Sequence, residues 1–88
     1  MIKTTITINN KAGLHARSSS KLVEISTKFS STIEIGNADK MVDGKSILSL
    51  MLLAASQGTE LELVIDGADE KEALKAILEL VEQRFGEE

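Results

Sequence analysis

The hydrophobic period of this chain switches from two to helical within a short stretch, and that switch limits its fold more than any other feature. Between Thr59 and Ile65, Leu61, Leu63 and Ile65 alternate with Glu60, Glu62 and Val64, the pattern of a strand with one buried face. After Gly67-Ala68-Asp69, a helix is predicted from Glu70 to about Phe85. Its Leu74, Ile77, Leu78, Val81 and Phe85 form a stripe, with Glu and Lys largely on the other side. A strand with one wet face and a helix with one dry stripe bury their apolar surfaces by packing together.

The same alternation recurs upstream. Ile2, Ile6 and Ile8 share one face, interrupted by Thr4, and Lys3, Thr5 and Thr7 take the other. Asn9 to Gly13 reads as a loop, followed by a helix from about Ala16 to Lys28. That helix can turn Leu22, Val23 and Phe29, with Ala16 and Ser26, toward a core, while Ile25 falls off the stripe and is expected to be partly exposed. Thr32 to Ile35 alternates again, Gly36-Asn37-Ala38-Asp39 is a turn, and Lys40-Met41-Val42 returns as a short strand. Ser46 suits the N-cap of a short apolar helix from Ile47 to Ala54 or Ala55. The order is βαββαβα. Alternation along at least three of the strands predicts an antiparallel two-layer α+β sandwich with one face in water.

Size and composition narrow the function. The 88 residues, 42% of them apolar, make one globular domain (residues 1–88) with a single core. There is no cysteine, which removes disulfides, thiol nucleophiles and cysteine-bound metal, and a lone histidine argues against a zinc site. A net charge of −4 and only Phe29 and Phe85 as aromatics argue against nucleic acid. The longest apolar run, Leu50 to Ala55, is too short for a bilayer. The first residues are strand-like and lack the apolar core of a signal peptide. A cytoplasmic chain is expected.

The candidate site is the one histidine, in Gly13-Leu14-His15-Ala16-Arg17. Taken alone, a histidine in a polar loop is more often a surface residue or a cap than a functional group. Its position is more specific, at the start of a helix whose first N–H groups lack partners and whose dipole attracts anions. Arg17 adds a planar fork suited to phosphate, and Gly13 permits a sharp turn just before the site. A nucleophilic ring nitrogen beside donors for an anion points to a transient phosphohistidine.

Gly13-Leu14-His15-Ala16-Arg17, followed further along by Gly44-Lys45-Ser46-Ile47-Leu48 and Gln57-Gly58-Thr59, resembles the histidine-containing phosphocarrier (HPr) family of the bacterial phosphoenolpyruvate:sugar phosphotransferase system. The resemblance extends over essentially the whole chain. It implies an open-faced β-sandwich, a four-stranded antiparallel sheet in the order 1-4-2-3 with three helices on one face. It also implies a carrier that is not itself an enzyme and needs no cofactor. His15 would accept a phosphoryl group at Nδ1 from the phosphohistidine of Enzyme I and pass it to the A-components of sugar permeases. The backbone N–H groups of Ala16 and Arg17 would hold phosphate oxygens, and the Arg17 guanidinium would add a charge-assisted bond. Where the family usually has proline after the arginine, this chain has Ser18. That change predicts a looser helix start without loss of chemistry.

Ser46 reads from the residues as a cap. The resemblance implies a second role, as the target of HPr kinase/phosphorylase in bacteria that possess it. A phosphoserine brings roughly −1.5 to −2 charges to a helix start, which would damp docking or create a surface for a transcription regulator. Ile47, Leu48, Met51 and Leu52 cannot all face inward on so short a helix. Either they are scattered surface residues around a core of Leu50, Leu53 and Ala54, or Ile47, Leu48 and Met51 form an exposed docking patch. Arg17, Lys21 and Lys45 would supply a basic rim to it. A monomer is expected.

Two other functions fit the composition less well. A non-relay regulatory α+β module acting through the Ile47/Leu48/Met51 patch lacks a nucleotide fingerprint or enclosed polar pocket. A hydrolase has the residue types of a triad and nothing more. Within the resembled family, a nitrogen-related paralogue would lack Gly44-Lys45-Ser46, and a purely regulatory homologue would lack His15.

Overall fold

The computed structural model describes residues 1–87. Its elements are β1 (Ile2–Thr7), α1 (Ala16–Ser26), β2 (Thr32–Asn37), β3 (Lys40–Asp43), α2 (Ile47–Leu52), β4 (Glu60–Asp66) and α3 (Glu70–Glu82), closed by a 3₁₀ turn at Arg84–Gly86. The strands form one antiparallel sheet in the order β1-β4-β2-β3, as expected. The register sets Ile6 against Leu61 and places Ile65 between Ile2 and Ile33, with Leu63 beside Ile35. This lines up one apolar face across three strands. Leu22, Leu50, Ala73, Ile77, Val81 and Phe85 cover that face from the helical side, and Lys3, Thr5, Thr7, Glu34, Glu60 and Glu62 stay exposed.

Several boundaries and faces depart from expectation. Helix α1 ends at Ser26, two residues early, and its inward positions are Ser18, Ser19, Leu22 and Ser26, with Val23 and Phe29 half-buried. Ala16 is exposed because it starts the helix at the rim, beyond the sheet it was expected to face. Ile25 is partly exposed, as expected, and packs against the core edge. Helix α2 stops at Leu52, and Ala54 is an exposed left-handed residue (φ 51°) that turns the chain toward β4. Ala54 therefore leaves the core to Leu50 and, in part, Leu53. On α3 the buried stripe is Ala73, Ile77 and Val81, four residues apart. Leu78 lies about 100° around the helix and is 41% exposed.

The turn before α3 is held by the side chain at that helix's N-cap position. Asp69 sits at the N-cap but makes no cap bond. Its carboxylate instead accepts the backbone N–H and the hydroxyl of both Ser30 and Ser31. The Ser31 hydroxyl, with the Ser30 N–H next, pulls the Asp69 carboxyl down from 3.8 to about 2. A depressed carboxyl stabilises the fold only while ionised. Its contribution is full above the ordinary value of 3.8 and disappears as pH falls through about 2. Asp69→Asn should lower the melting temperature by several degrees at neutral pH, with the difference from wild type closing in strong acid. Melting curves across that acid range check this, and a difference that stayed constant would show that the charge is irrelevant.

Candidate functional site

The loop from Asn9 to His15 is tied down before α1 begins. The Asn10 amide donates to the Gly13 carbonyl (2.9 Å), and the Leu14 N–H donates to the Ala55 carbonyl (2.8 Å). Gly13 has φ +71°, and a Cβ there would overlap the Ala55 carbonyl oxygen. Only glycine permits the loop to lie this close to the segment leaving α2.

His15, the candidate nucleophile, is also the cap of α1. It holds the N-cap position of α1 with extended backbone. The Arg17 N–H donates to His15 Nδ1 (3.3 Å), and the His15 N–H donates to Ser18 Oγ (3.0 Å), a reciprocal arrangement across the first turn. His15 Nε2 lies 2.9 Å from Glu87 Oε2 and 3.2 Å from Oε1. The Asn10 amide first, then the His15 ring, hold the Glu87 carboxyl below its ordinary value, so it is an ionised acceptor. Nε2 must therefore carry the ring proton, and Nδ1 keeps its lone pair toward the helix start. That nitrogen can attack an electrophile.

The surroundings suit an anion. Lys11, Arg17 and Arg84 bring three cationic side chains to an open groove shared with His15 and Glu87. The side chain of His15 is 36% exposed. A group delivered here meets Nδ1 and the N–H groups of the first helical turn.

Ser18 acts differently from the expectation drawn for it. It is fully buried, and its hydroxyl donates to the Gly13 carbonyl (2.8 Å) while accepting from the His15 N–H. The hydroxyl bonds to both sides of the turn, contacts that a proline ring could not make. The basic rim is also modified. Lys21 Nζ donates to the Phe85 carbonyl (2.9 Å) and Lys45 Nζ to the Phe29 carbonyl (2.8 Å). Both keep their charge near the surface but are anchored to backbone, whereas Arg17 is exposed.

Ser46 caps α2, its Oγ accepting from the Ser49 N–H (3.2 Å). Beyond it Ile47, Leu48, Met51 and Leu52 all face solvent, Leu48 being 69% exposed. Leu52 extends the apolar patch past the three residues singled out in the sequence. Sequence patterns gave no sign of Asn10, Arg84 or Glu87 at the site. The Glu87 contact joins positions 72 apart in the chain, and no local period carries that information.

A half-buried histidine with an unprotonated ring nitrogen, held at a helix start on an open-faced sandwich, defines a group carrier more than an enclosed catalytic pocket. Residues 2–83 match the family model of the PTS HPr component phosphorylation site. The phosphocarrier protein HPr of Neisseria meningitidis serogroup A is 48% identical over 87 residues, covering 99% of this chain and 98% of that protein. The crystal structure of HPr-C-His from Thermoanaerobacter tengcongensis superposes with a TM-score of 0.94 at 46% identity, covering 100% of this chain and 99% of that one. A crystal structure of an HPr dimer from the same organism gives 0.78, again at 46% identity and covering 99% and 100% of the two chains. This chain belongs to the HPr family, the phosphocarriers of the phosphotransferase system. Members carry a phosphoryl group and are not catalytic enzymes. Among the described residues no helix is long and apolar enough to cross a membrane.

Proposed function

We propose that His15 is the phosphoryl acceptor, receiving the group at Nδ1 from phospho-Enzyme I and handing it to the A-components of sugar permeases in the cytoplasm. The observation that carries this reading is the hydrogen-bond pattern of the ring, with Nε2 on Glu87 and Nδ1 facing the first turn of α1. The N–H groups of Ala16 and Arg17 take the phosphate oxygens as the N–P bond forms, and the Arg17 guanidinium neutralises the incoming charge. An open site with few donors holds the group loosely enough to release it again. Incubation with phosphoenolpyruvate, Mg²⁺ and Enzyme I should add one acid-labile phosphoryl group by intact mass. No addition, with Enzyme I active on a control carrier, would rule the relay out and favour a regulatory binding module.

Docking belongs to α2. The exposed Ile47, Leu48 and Met51 give successive partners one adaptable apolar surface, rimmed by Arg17, Lys21 and Lys45. A single chain contains both this surface and the site, so the relay works as a monomer. Phosphorylation of Ser46, where a kinase is present, sets negative charge at the edge of the patch and weakens docking, or presents the phosphoserine to a transcription regulator. Leu48→Glu should raise the KM of Enzyme I for the carrier about tenfold while kcat changes little, because it removes binding and leaves the chemistry. Ser46→Asp should move the same parameter in the same direction. Steady-state transfer assays check both, and a fall in kcat alone would place these residues in the chemical step.

A further inference from the structure

The chain doubles back after α3 through a turn that is costly to make. Arg84, Phe85 and Gly86 have φ values of 54°, 56° and 73° in succession, a left-handed run that non-glycine residues rarely adopt. Three anchors hold it. Phe85 is fully buried, its carbonyl accepts from Lys21 Nζ, and Glu87 accepts from the Asn10 amide (2.8 Å). The result of the turn is that one carboxylate meets one ring nitrogen.

We propose that Glu87 is a positioning residue that keeps the proton on Nε2 of His15 through the whole transfer cycle. This rests on His15 being the phosphoryl acceptor. On loading, the Nδ1 lone pair forms the N–P bond while the P–N bond of the phosphohistidine donor breaks, its electron pair returning to the donor ring. The Nε2 proton does not move, so the loaded ring is an imidazolium facing the Glu87 carboxylate. On unloading, the Nδ1–P bond breaks, its electron pair returns to Nδ1, and a neutral ring still protonated at Nε2 is left. Had Nε2 lost its proton, the leaving group would be an imidazolate, which departs far less readily. Glu87 thus keeps the loaded carrier in its reactive form.

The charged groups facing the ring are Lys11 from the loop, Arg17 from α1, and Arg84 and Glu87 from the C-terminal turn. The three cations act in the opposite sense to Glu87 on the loaded, cationic ring. Among the described residues, Glu87 is the one whose side chain hydrogen-bonds to it, at 2.9 Å. Once the ring is phosphorylated it is cationic, and a carboxylate at this range favours retention of the Nε2 proton, an effect reduced by the partial exposure of the pair.

The test loads wild type, Glu87→Gln and Glu87→Asp with phosphoenolpyruvate, Mg²⁺ and Enzyme I, then follows loss of the phosphoryl group by intact mass from mildly acidic to mildly alkaline pH. The Gln variant can still accept a hydrogen bond but has no charge. Its loaded form should live about threefold longer at neutral pH, with the whole profile displaced toward acid. The Asp variant, which keeps the charge on a shorter arm, should fall between the two. Superimposable profiles for wild type and Glu87→Gln would overturn the assignment while leaving His15 as acceptor. Failure of the wild type to gain mass would remove both, and is recognised at the loading step.

Discussion

His15→Ala should take up no phosphoryl group under conditions that fully load the wild type, a loss on the order of a thousandfold or more, as expected when a nucleophile is deleted. Three features make the effect large. The ring is the only imidazole in the chain. There is no cysteine to take over as nucleophile. The nearby Ser18 hydroxyl is buried and committed to the Gly13 carbonyl. The fold should survive, because the change removes one cap acceptor, that of the Arg17 N–H, at a cost of about 1 kcal/mol. Intact mass and circular dichroism together decide the matter. A folded variant that still gained an acid-labile group would place the acceptor elsewhere.

Phe85→Ala should give the largest loss of stability, about 3–5 kcal/mol, the usual cost of emptying a fully enclosed aromatic site. The ring is wholly buried although its backbone is left-handed, so its packing is what balances the strain of the turn. For a chain of this length the melting temperature should fall by at least roughly 10 °C. The same variant should also disturb the site, since Glu87 reaches His15 only through this turn. Urea titration with linear extrapolation measures the first effect. A loss below about 1 kcal/mol, less than a cavity of this kind costs, would mean that the Lys21 bond to the Phe85 carbonyl holds the turn without the ring.

Most of the architecture is legible in the residues because strand alternation and helical stripes are local properties. Leu61, Leu63 and Ile65 announce β4 without help from the rest of the chain, and the register then sets them beside the isoleucines of β1 and β2. The errors fall where an element ends or meets a rim. Phe85 fits the helical period of α3, yet the helix stops at Glu82 and the residue reaches the core from a left-handed turn. Ala16 and Ala54 are apolar enough for a core, but both sit at helix ends outside the sheet's shadow. Ser18 and Ser19 look like surface residues, yet both are buried alongside Ser26, which the helical stripe had already turned inward. Small side chains let α1 lie close against the layer beneath it.

The candidate site divides along the same line. His15, Ala16 and Arg17 are consecutive, so a short motif was enough to place the candidate histidine among backbone donors at a helix start. The cap at Ser46 and the apolar run after it are equally local. Which ring nitrogen is free is a different kind of fact. It depends on Glu87 and Asn10, which approach His15 from the far end of the chain and from the preceding loop. The sequence determined the candidate nucleophile and the sheet that carries it, because both follow from neighbours a few positions apart. Only the tertiary structure decided the state of the ring, because the proton answers to whichever carboxylate folding brings within hydrogen-bond distance.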